Sequence, residues 1–324
     1  MQATISAHLT EGEHTMRIKL ERILFATDFS QVSQQAMPYA VALARKFKAK
    51  LFVCHTLDAS APGLYDAAFL VLPARVKELA QEAEKKLRAL FEDSGVEWEP
   101  VLVQGDAALG IADVADEKDV DVIIASTHGR SGLGRVLLGS VAERLLHTSK
   151  KPVLILRAQE LKPGQAPDYR VEPRRILVGC DFSPDSHLAF EYALSLAQES
   201  QSEIHLLHAM EPTLYRHMDT TAGALAADLE RSIESTVRSR LEALVPDDVR
   251  AWCTVKTAFV SGYAYEELTR YAKSREIDLI VLGLRGHGLL DRMLIGSTTD
   301  RVVRRAPCPV LAVQETKGSK PKQG

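Results

Sequence analysis

The chain is poor in cysteine. Four residues, Cys54, Cys180, Cys253 and Cys308, are scattered over 324 positions with no C-x-x-C pair. That excludes a disulfide framework, which needs dense and closely spaced cysteines, and fits a reducing cytoplasm. No run approaches 18 consecutive apolar residues, so no membrane-spanning helix is expected. The start, MQATISAHLTEGEH, lacks a basic segment followed by an apolar core, so it does not read as a signal peptide. Charge of one sign is also missing. With 43 acids against 40 bases the formal net charge is −3, and neither half is strongly basic or acidic, so bulk charge argues against nucleic acid and against a membrane surface as partner. No Gly-Lys dipeptide occurs, which excludes a Walker-type phosphate loop.

What the chain has is apolar content and repetition. Hydrophobic residues make up 46%, enough to bury substantial cores, and the length suits two domains of roughly 150 residues. The segment RILFATDFSQVSQQAMPYAVALA from Arg22 aligns with RILVGCDFSPDSHLAFEYALSLA from Arg175, a shift of 153. Arg22, Ile23, Leu24, Asp28, Phe29, Ser30, Ser33, Ala36, Tyr39, Ala40, Leu43 and Ala44 all recur, and His55 recurs as His208. A second block repeats at a shift of 157: Asp121, Gly129, Arg135, Gly139, Ser140, Arg144 and Pro152 return as Asp278, Gly286, Arg292, Gly296, Ser297, Arg301 and Pro309. The chain is therefore a duplication. We expect a disordered lead-in over 1–19, one unit over 20–157, a Pro-rich extended linker over 158–173, a second unit over 174–314 and a flexible tail over 315–324.

Within each unit short apolar runs alternate with helical patterns. Ile23–Ala26, Leu51–Cys54, Val101–Val103, Val122–Ala125 and Val153–Leu156 read as strands, and Ser33–Lys48, Ala74–Phe91, Gly110–Glu117 and Gly139–His147 as helices. This alternation predicts right-handed crossovers and a parallel sheet covered on both faces. Pro38 sits inside the first helical pattern, where it should kink the helix or delay its start. Arg231–Leu244 reads as a charged amphipathic helix with a solvated outer face.

In open parallel sheets, ligands bind beyond the carboxyl ends of the strands, where the winding reverses. Asp28 and Asp181 follow the first strand of each unit; they suit either a ligand contact or a side-chain turn leading into the next helix. After the fourth strand come Ser126 to Gly132 and Gly283 to Gly288, each leading to a Gly-Ser pair that opens a helix. Glycines let backbone N–H groups approach a phosphate, and a helix N-terminus adds unpaired donors. Gly-Ser before a helix is equally a plain cap. Ser140 and Ser297, with His128, Arg285 or His287, are the side chains offered to a terminal phosphate. His55 and His208 read as hydrogen-bonded structural histidines, and the cysteines as small core residues.

Gly283-x2-Gly286-x9-Gly296-Ser297 resembles the G-2x-G-9x-G-[ST] signature of the ATP-binding branch of the universal stress proteins. The first-strand Asp, Leu207-His208-Ala209 and Pro309-Val310-Leu311 resemble that family too, and the resemblance covers nearly the whole chain twice. It implies two tandem doubly wound parallel five-stranded sheets, Rossmann-like and of the adenine nucleotide α-hydrolase-like kind. It further implies an intramolecular pseudo-dimer about a near two-fold axis, joined through Val153–Leu156 and Val310–Val313 as antiparallel partners. The implied cofactor is ATP, with Mg²⁺ or Mn²⁺ as the accompanying ion. The implied binding residues are Asp181, Ala209, Gly283, Gly286, His287, Gly296 and Ser297 in the second unit. In the first they are Asp28, Thr56, Ser126, Gly129, Gly139 and Ser140, with Ser126 replacing a glycine. The implied role is a nucleotide-responsive stress protein acting through conformation or a protein partner, as a monomer with internal symmetry or a homodimer. Two alternatives stay open: a slow ATPase or nucleotidyl-transfer enzyme, and a non-nucleotide binding or scaffold module with vestigial sites.

Overall fold

The computed structural model describes residues 19–57, 73–127, 138–157, 169–211, 220–286 and 295–315. The first half runs β1 (Arg22–Ala26), α1 (Gln31–Phe47), β2 (Lys50–Leu57), α2 (Pro73–Phe91), β3 (Trp98–Gln104), α3 (Ala107–Glu117), β4 (Val122–Ser126), α4 (Ser140–Thr148) and β5 (Val153–Leu156). The second runs β6 (Arg175–Gly179), α5 (Pro184–Ser200), β7 (Glu203–Met210), α6 (Thr220–Ala243), α7 (Asp247–Trp252), β8 (Val255–Ser261), α8 (Ala264–Ser274), β9 (Leu279–Gly283), α9 (Ser297–Arg305) and β10 (Val310–Val313). The expected strands and helices are present in both halves, lengthened at several ends. The short α7 is the addition: the second half carries it where the first has only the turn at Asp93–Gly95.

Pro38 does not delay α1. The helix starts seven residues earlier at Gln31, because Ser30 caps it: the Ser33 N–H donates to Ser30 Oγ at 3.2 Å. Burial of Ala36, Tyr39, Ala40, Leu43 and Ala44 on one face offsets the single backbone bond that proline cannot make.

All ten strands form one sheet in the order β3-β2-β1-β4-β5-β10-β9-β6-β7-β8. Pairing is parallel throughout each half. The halves meet at the centre through one antiparallel pair, with Val310 opposite Ile155, Leu311 opposite Leu154 and Ala312 opposite Val153. These are the partners the family resemblance implied, and their pairing leaves neither fifth strand as an open edge. In each half the winding reverses between the first and fourth strands, which places a topological switch point beyond β1 and β4 and another beyond β6 and β9.

Two apolar layers hold the helices to the sheet, and each crosses the junction. One joins Ile23, Phe25 and Leu87 of the first half to Val178, Phe190 and Val313 of the second. The other joins Ile123, Leu145 and Ile155 to Leu282, Val302 and Val310. Polar contacts reinforce the junction. Arg304 pairs with Glu143 at 3.1 Å, Arg157 donates to the Ala306 carbonyl at 3.2 Å, and Lys46 reaches Glu172 at 2.6 Å. Of the expected linker, residues 158–168 lie outside the described residues; Tyr169 stands edge-on to Tyr39, and its hydroxyl donates to the Arg157 carbonyl.

Because both apolar layers span the junction, the halves should unfold together. Trp98 and Trp252 lie in opposite halves and report on each separately. Ile155, 1% exposed, sits at the junction; Ile155→Ala should cost about 2–5 kcal/mol. In urea titrations of single-tryptophan variants, both reporters should share one midpoint and shift together on that change. A shift confined to Trp98 would contradict the shared core.

Candidate functional site

Each switch point gathers the end of one strand, a tight turn and the start of a helix. After β1 and β6 the chain turns through Asp28-Phe29-Ser30 and Asp181-Phe182-Ser183. The Ser30 N–H donates to Asp28 Oδ1 and the Ser183 N–H to Asp181 Oδ1, both at 3.0 Å. Both aspartates therefore form the side-chain turn, one of the two readings the sequence left open. Phe29 and Phe182 take left-handed backbone, with φ of 63° and 64°, a conformation that aromatic residues rarely adopt. Their rings lie against His55 and His208, with centroids 4.2 and 5.1 Å apart. His55 Nδ1 is 2.8 Å from the Thr27 carbonyl oxygen and His208 Nδ1 is 2.7 Å from that of Cys180. A carbonyl only accepts, so Nδ1 carries the proton in both. Burial pushes the His208 imidazole below its ordinary value, which favours the neutral form. Both histidines thus brace the turn after the first strand, as structural residues.

The phosphate-loop candidates divide into three kinds. Gly139 and Gly296 are the cap residues of α4 and α9, and neither helix has a side-chain cap bond. Ser140 and Ser297 are the first helical residues, both exposed, so the Gly-Ser pair is not a serine cap. Each loop is closed at its base by a backbone bond: Gly139 N–H to the Thr127 carbonyl, and Gly296 N–H to the Leu284 carbonyl at 2.8 Å. Gly286 lies between the two loops of the second half. A Cβ on it would stand 2.5 Å from Asp181 Oδ2, while a Cβ on Gly296 would stand 3.7 Å from the Gly286 nitrogen. Absence of side chains there leaves an open space, a cradle beside the Gly286 backbone nitrogen, with the start of α9 next to it.

Gly283 belongs to a different kind. A Cβ on it would meet the Asp185 backbone carbon at 2.7 Å, so this glycine lets α5 lie close on β9. Its counterpart Ser126 ends β4, so the Gly-to-Ser departure in the first half concerns strand–helix packing and not crowding of a ligand. Arg285 is a further correction to the list of phosphate contacts. Its Nε is 3.1 Å from Asp185 Oδ2 and its Nη2 donates to the Glu315 carbonyl at 2.9 Å. The guanidinium is committed away from the cradle.

The third kind ends the second strand. Thr56 is the penultimate residue of β2, beside Val103, and its Oγ1 is buried with no hydrogen-bond partner among the described residues. Ala209 takes the matching place in β7. Gly129, His128 and His287 lie outside the described residues. Among the described residues no group of three or more His, Cys, Asp or Glu side chains comes together to hold a metal.

A separate groove of about 890 Å³ lies along β8, lined by Arg175, Glu203, His205, Lys256, Tyr271 and Glu276 among others. It runs along β8 as far as Phe259 and Val260, the strand partners of His208 and Ala209, and its charges neutralise one another: Lys256 with Glu203 at 2.8 Å, Arg175 with Glu276 at 3.2 Å. It gathers none of the candidate residues. Sequence reasoning missed Asp185, because Ser183-Pro184-Asp185 reads as an ordinary helix start. The usable signal was the difference between copies, since the aligned residue in the first half is Val32.

Comparison with known proteins agrees with this arrangement. A family model described as the universal stress protein family matches residues 19–157 and again 172–314. A universal stress protein of Methanocaldococcus jannaschii is 34% identical over 146 residues, spanning 42% of this chain and 82% of that protein. One from Mycolicibacterium smegmatis is 27% identical over 311 residues, spanning 90% of this chain and 96% of its own length. Among solved structures, a universal stress protein from Archaeoglobus fulgidus superposes with a TM-score of 0.64 at 22% identity, over 91% of this chain and 99% of its own. With the doubly wound halves, the central β5–β10 pairing and a family match repeated along the sequence, the chain belongs to the universal stress protein family, as a tandem member carrying two copies of the unit.

Proposed function

We propose that this protein binds an adenine nucleotide, ATP in the first place, at the switch points of its halves, and acts in a stress response through the conformation or partners of the bound state. The observation that carries the reading is the cradle of the second half. Gly286 and Gly296 face one another without side chains, Asp181 Oδ2 lies against Gly286, and α9 begins there with a glycine cap and an exposed serine. Unpaired N–H donors and the positive end of a helix dipole suit a polyphosphate. In the first half Gly139 and Ser140 repeat the helix start, and the buried Thr56 hydroxyl lacks a partner that a nucleoside would supply.

The nucleotide would supply the anionic charge, and Gly286, Gly296 and Ser297 would hold its phosphates. Asp28 and Asp181 would stand between phosphates and nucleoside, Asp181 next to Gly286, with Thr56 and Ala209 near the strand ends on the nucleoside side. Mg²⁺ or Mn²⁺ would rest chiefly on phosphate oxygens with one carboxylate, a common mode for Mg²⁺.

Binding with little turnover is the expected behaviour. Phosphoryl transfer needs a positioned water and neutralisation of the terminal phosphate. Arg285 is tied to Asp185, and each first-strand Asp already serves a turn. In single-turnover measurements with labelled ATP, hydrolysis should run far below the median enzyme rate of about 10 s⁻¹. Completion within seconds, lost in Asp181→Asn with binding retained, would make Asp181 catalytic and reverse this expectation.

Gly286→Val tests the cradle itself. A branched side chain would stand where Asp181 Oδ2 lies 2.5 Å away, so ATP affinity at the second site should fall at least tenfold, about 1.4 kcal/mol. Calorimetry giving an unchanged affinity would remove Gly286 from the site. Saturating ATP at about 100 times Kd should also raise stability by about 2.7 kcal/mol in the unaltered chain.

A further inference from the structure

The two halves share their loop glycines but not the side chains that hold the second loop. Asp185, in the first turn of α5, is 5% exposed and accepts three bonds from two other segments. Its Oδ2 takes the Arg285 backbone N–H at 3.0 Å and Arg285 Nε at 3.1 Å, and its Oδ1 takes the Glu315 N–H at 2.9 Å. The Ser183 hydroxyl donates to the Arg285 carbonyl at 3.3 Å, and Arg285 Nη2 donates to the Glu315 carbonyl at 2.9 Å. Thr299 Oγ1 donates to the Gly283 carbonyl at 2.7 Å. Every polar group of Arg285's backbone is thus engaged before any ligand arrives, in the residue immediately preceding Gly286. In the first half Val32 stands in place of Asp185 and Ala142 in place of Thr299, and neither side chain can make these bonds.

We infer that Asp185 is a positioning residue: it latches the β9 loop to α5 and to the segment after β10, and so presets the second nucleotide site, a latch that Val32 at the matching position of the first half cannot make. This rests on the nucleotide reading of the switch points. The physical reason is preorganisation. A loop already held in its bound geometry spends less conformational entropy when the ligand docks. Three charge-assisted or backbone bonds from one buried carboxylate, at the favourable end of a helix dipole, are enough to hold it. The consequence is a chain with one tight site and one weaker site, set by a residue that does not touch the ligand. The space that Gly283 leaves for Asp185 makes the glycine part of the same device.

Removing Asp185 alone would leave the half-buried Arg285 charge without its carboxylate partner, a change that is destabilising for its own reasons. The test therefore uses the full chain with Asp185→Val and Arg285→Leu together, and Asp185→Asn as the nearly isosteric variant that keeps one acceptor oxygen and loses the charge. Hydrogen exchange of the nucleotide-free protein is read over Leu284–Gly286, and ATP is titrated by calorimetry. In the double variant, exchange over Leu284–Gly286 should rise at least tenfold while that of Leu279–Gly283 stays unchanged. The tighter ATP site should weaken about tenfold and the weaker site should keep its affinity. Asp185→Asn should fall between the two. If exchange is unchanged, or if it rises and the ratio of the two affinities does not move, the latch is wrong and the nucleotide reading stands. If the unaltered chain binds no ATP at either site, the nucleotide reading fails and takes the inference with it.

Discussion

The antiparallel pairing of β5 with β10 is the constraint on which the rest depends. A doubly wound half ends in a strand whose outer edge carries unpaired backbone N–H and C=O groups, and such an edge invites association. In this chain the two edges cover each other. The pairing makes a ten-stranded sheet of two five-stranded ones and lets both apolar layers run without a break from one half to the other. It also fixes where the switch points lie, on either side of a shared centre.

Within that frame the two copies have diverged under local compensation. Lys50 of β2 pairs with Glu99 of β3 at 2.8 Å, and in the second half Glu203 of β7 pairs with Lys256 of β8 at the same distance with the signs reversed. Asp121 and Asp278 are unchanged, each accepting the backbone N–H of the residue that opens the first strand. In the ion pair the interaction and its place in the fold persist while its members exchange signs; in the aspartate the residue itself persists with its interaction. His55 and His208 persist for the same reason: each ties the end of the second strand to the turn after the first, and so holds Asp28 or Asp181 at the switch point.

The glycines of the loop signature do not share one task. Gly286 keeps space open beside Asp181 and Gly296 beside Gly286, while Gly283 lets α5 approach β9. A motif written as three equal glycines therefore joins an open-loop requirement to a packing requirement. That distinction explains how Ser126 is tolerated in the first half: the position touches the helix layer, and α1 lies less fully against β4 than α5 does against β9.

The duplication, the alternation of strands and helices and the position of the switch points were readable from the chain. Repeats at shifts of 153 and 157 and apolar runs such as Val122–Ala125 are properties of local sequence, and local sequence sets secondary structure through periodicity. The start of α1 was misjudged because a cap at Ser30 and a buried face outweigh a proline, and burial is not a local quantity. The roles of Gly283, Arg285 and Asp185 escaped for a stronger reason. Asp185 and Arg285 are 100 residues apart, and Asp185 and Glu315 are 130 apart. Only the parallel register of β6, β9 and β10 brings those three segments to one point. Which residues a site contains was set by the strand ends, and so by sequence; which of them face a ligand and which hold one another was decided by packing, because a side chain's partner is chosen by distance in space and not along the chain.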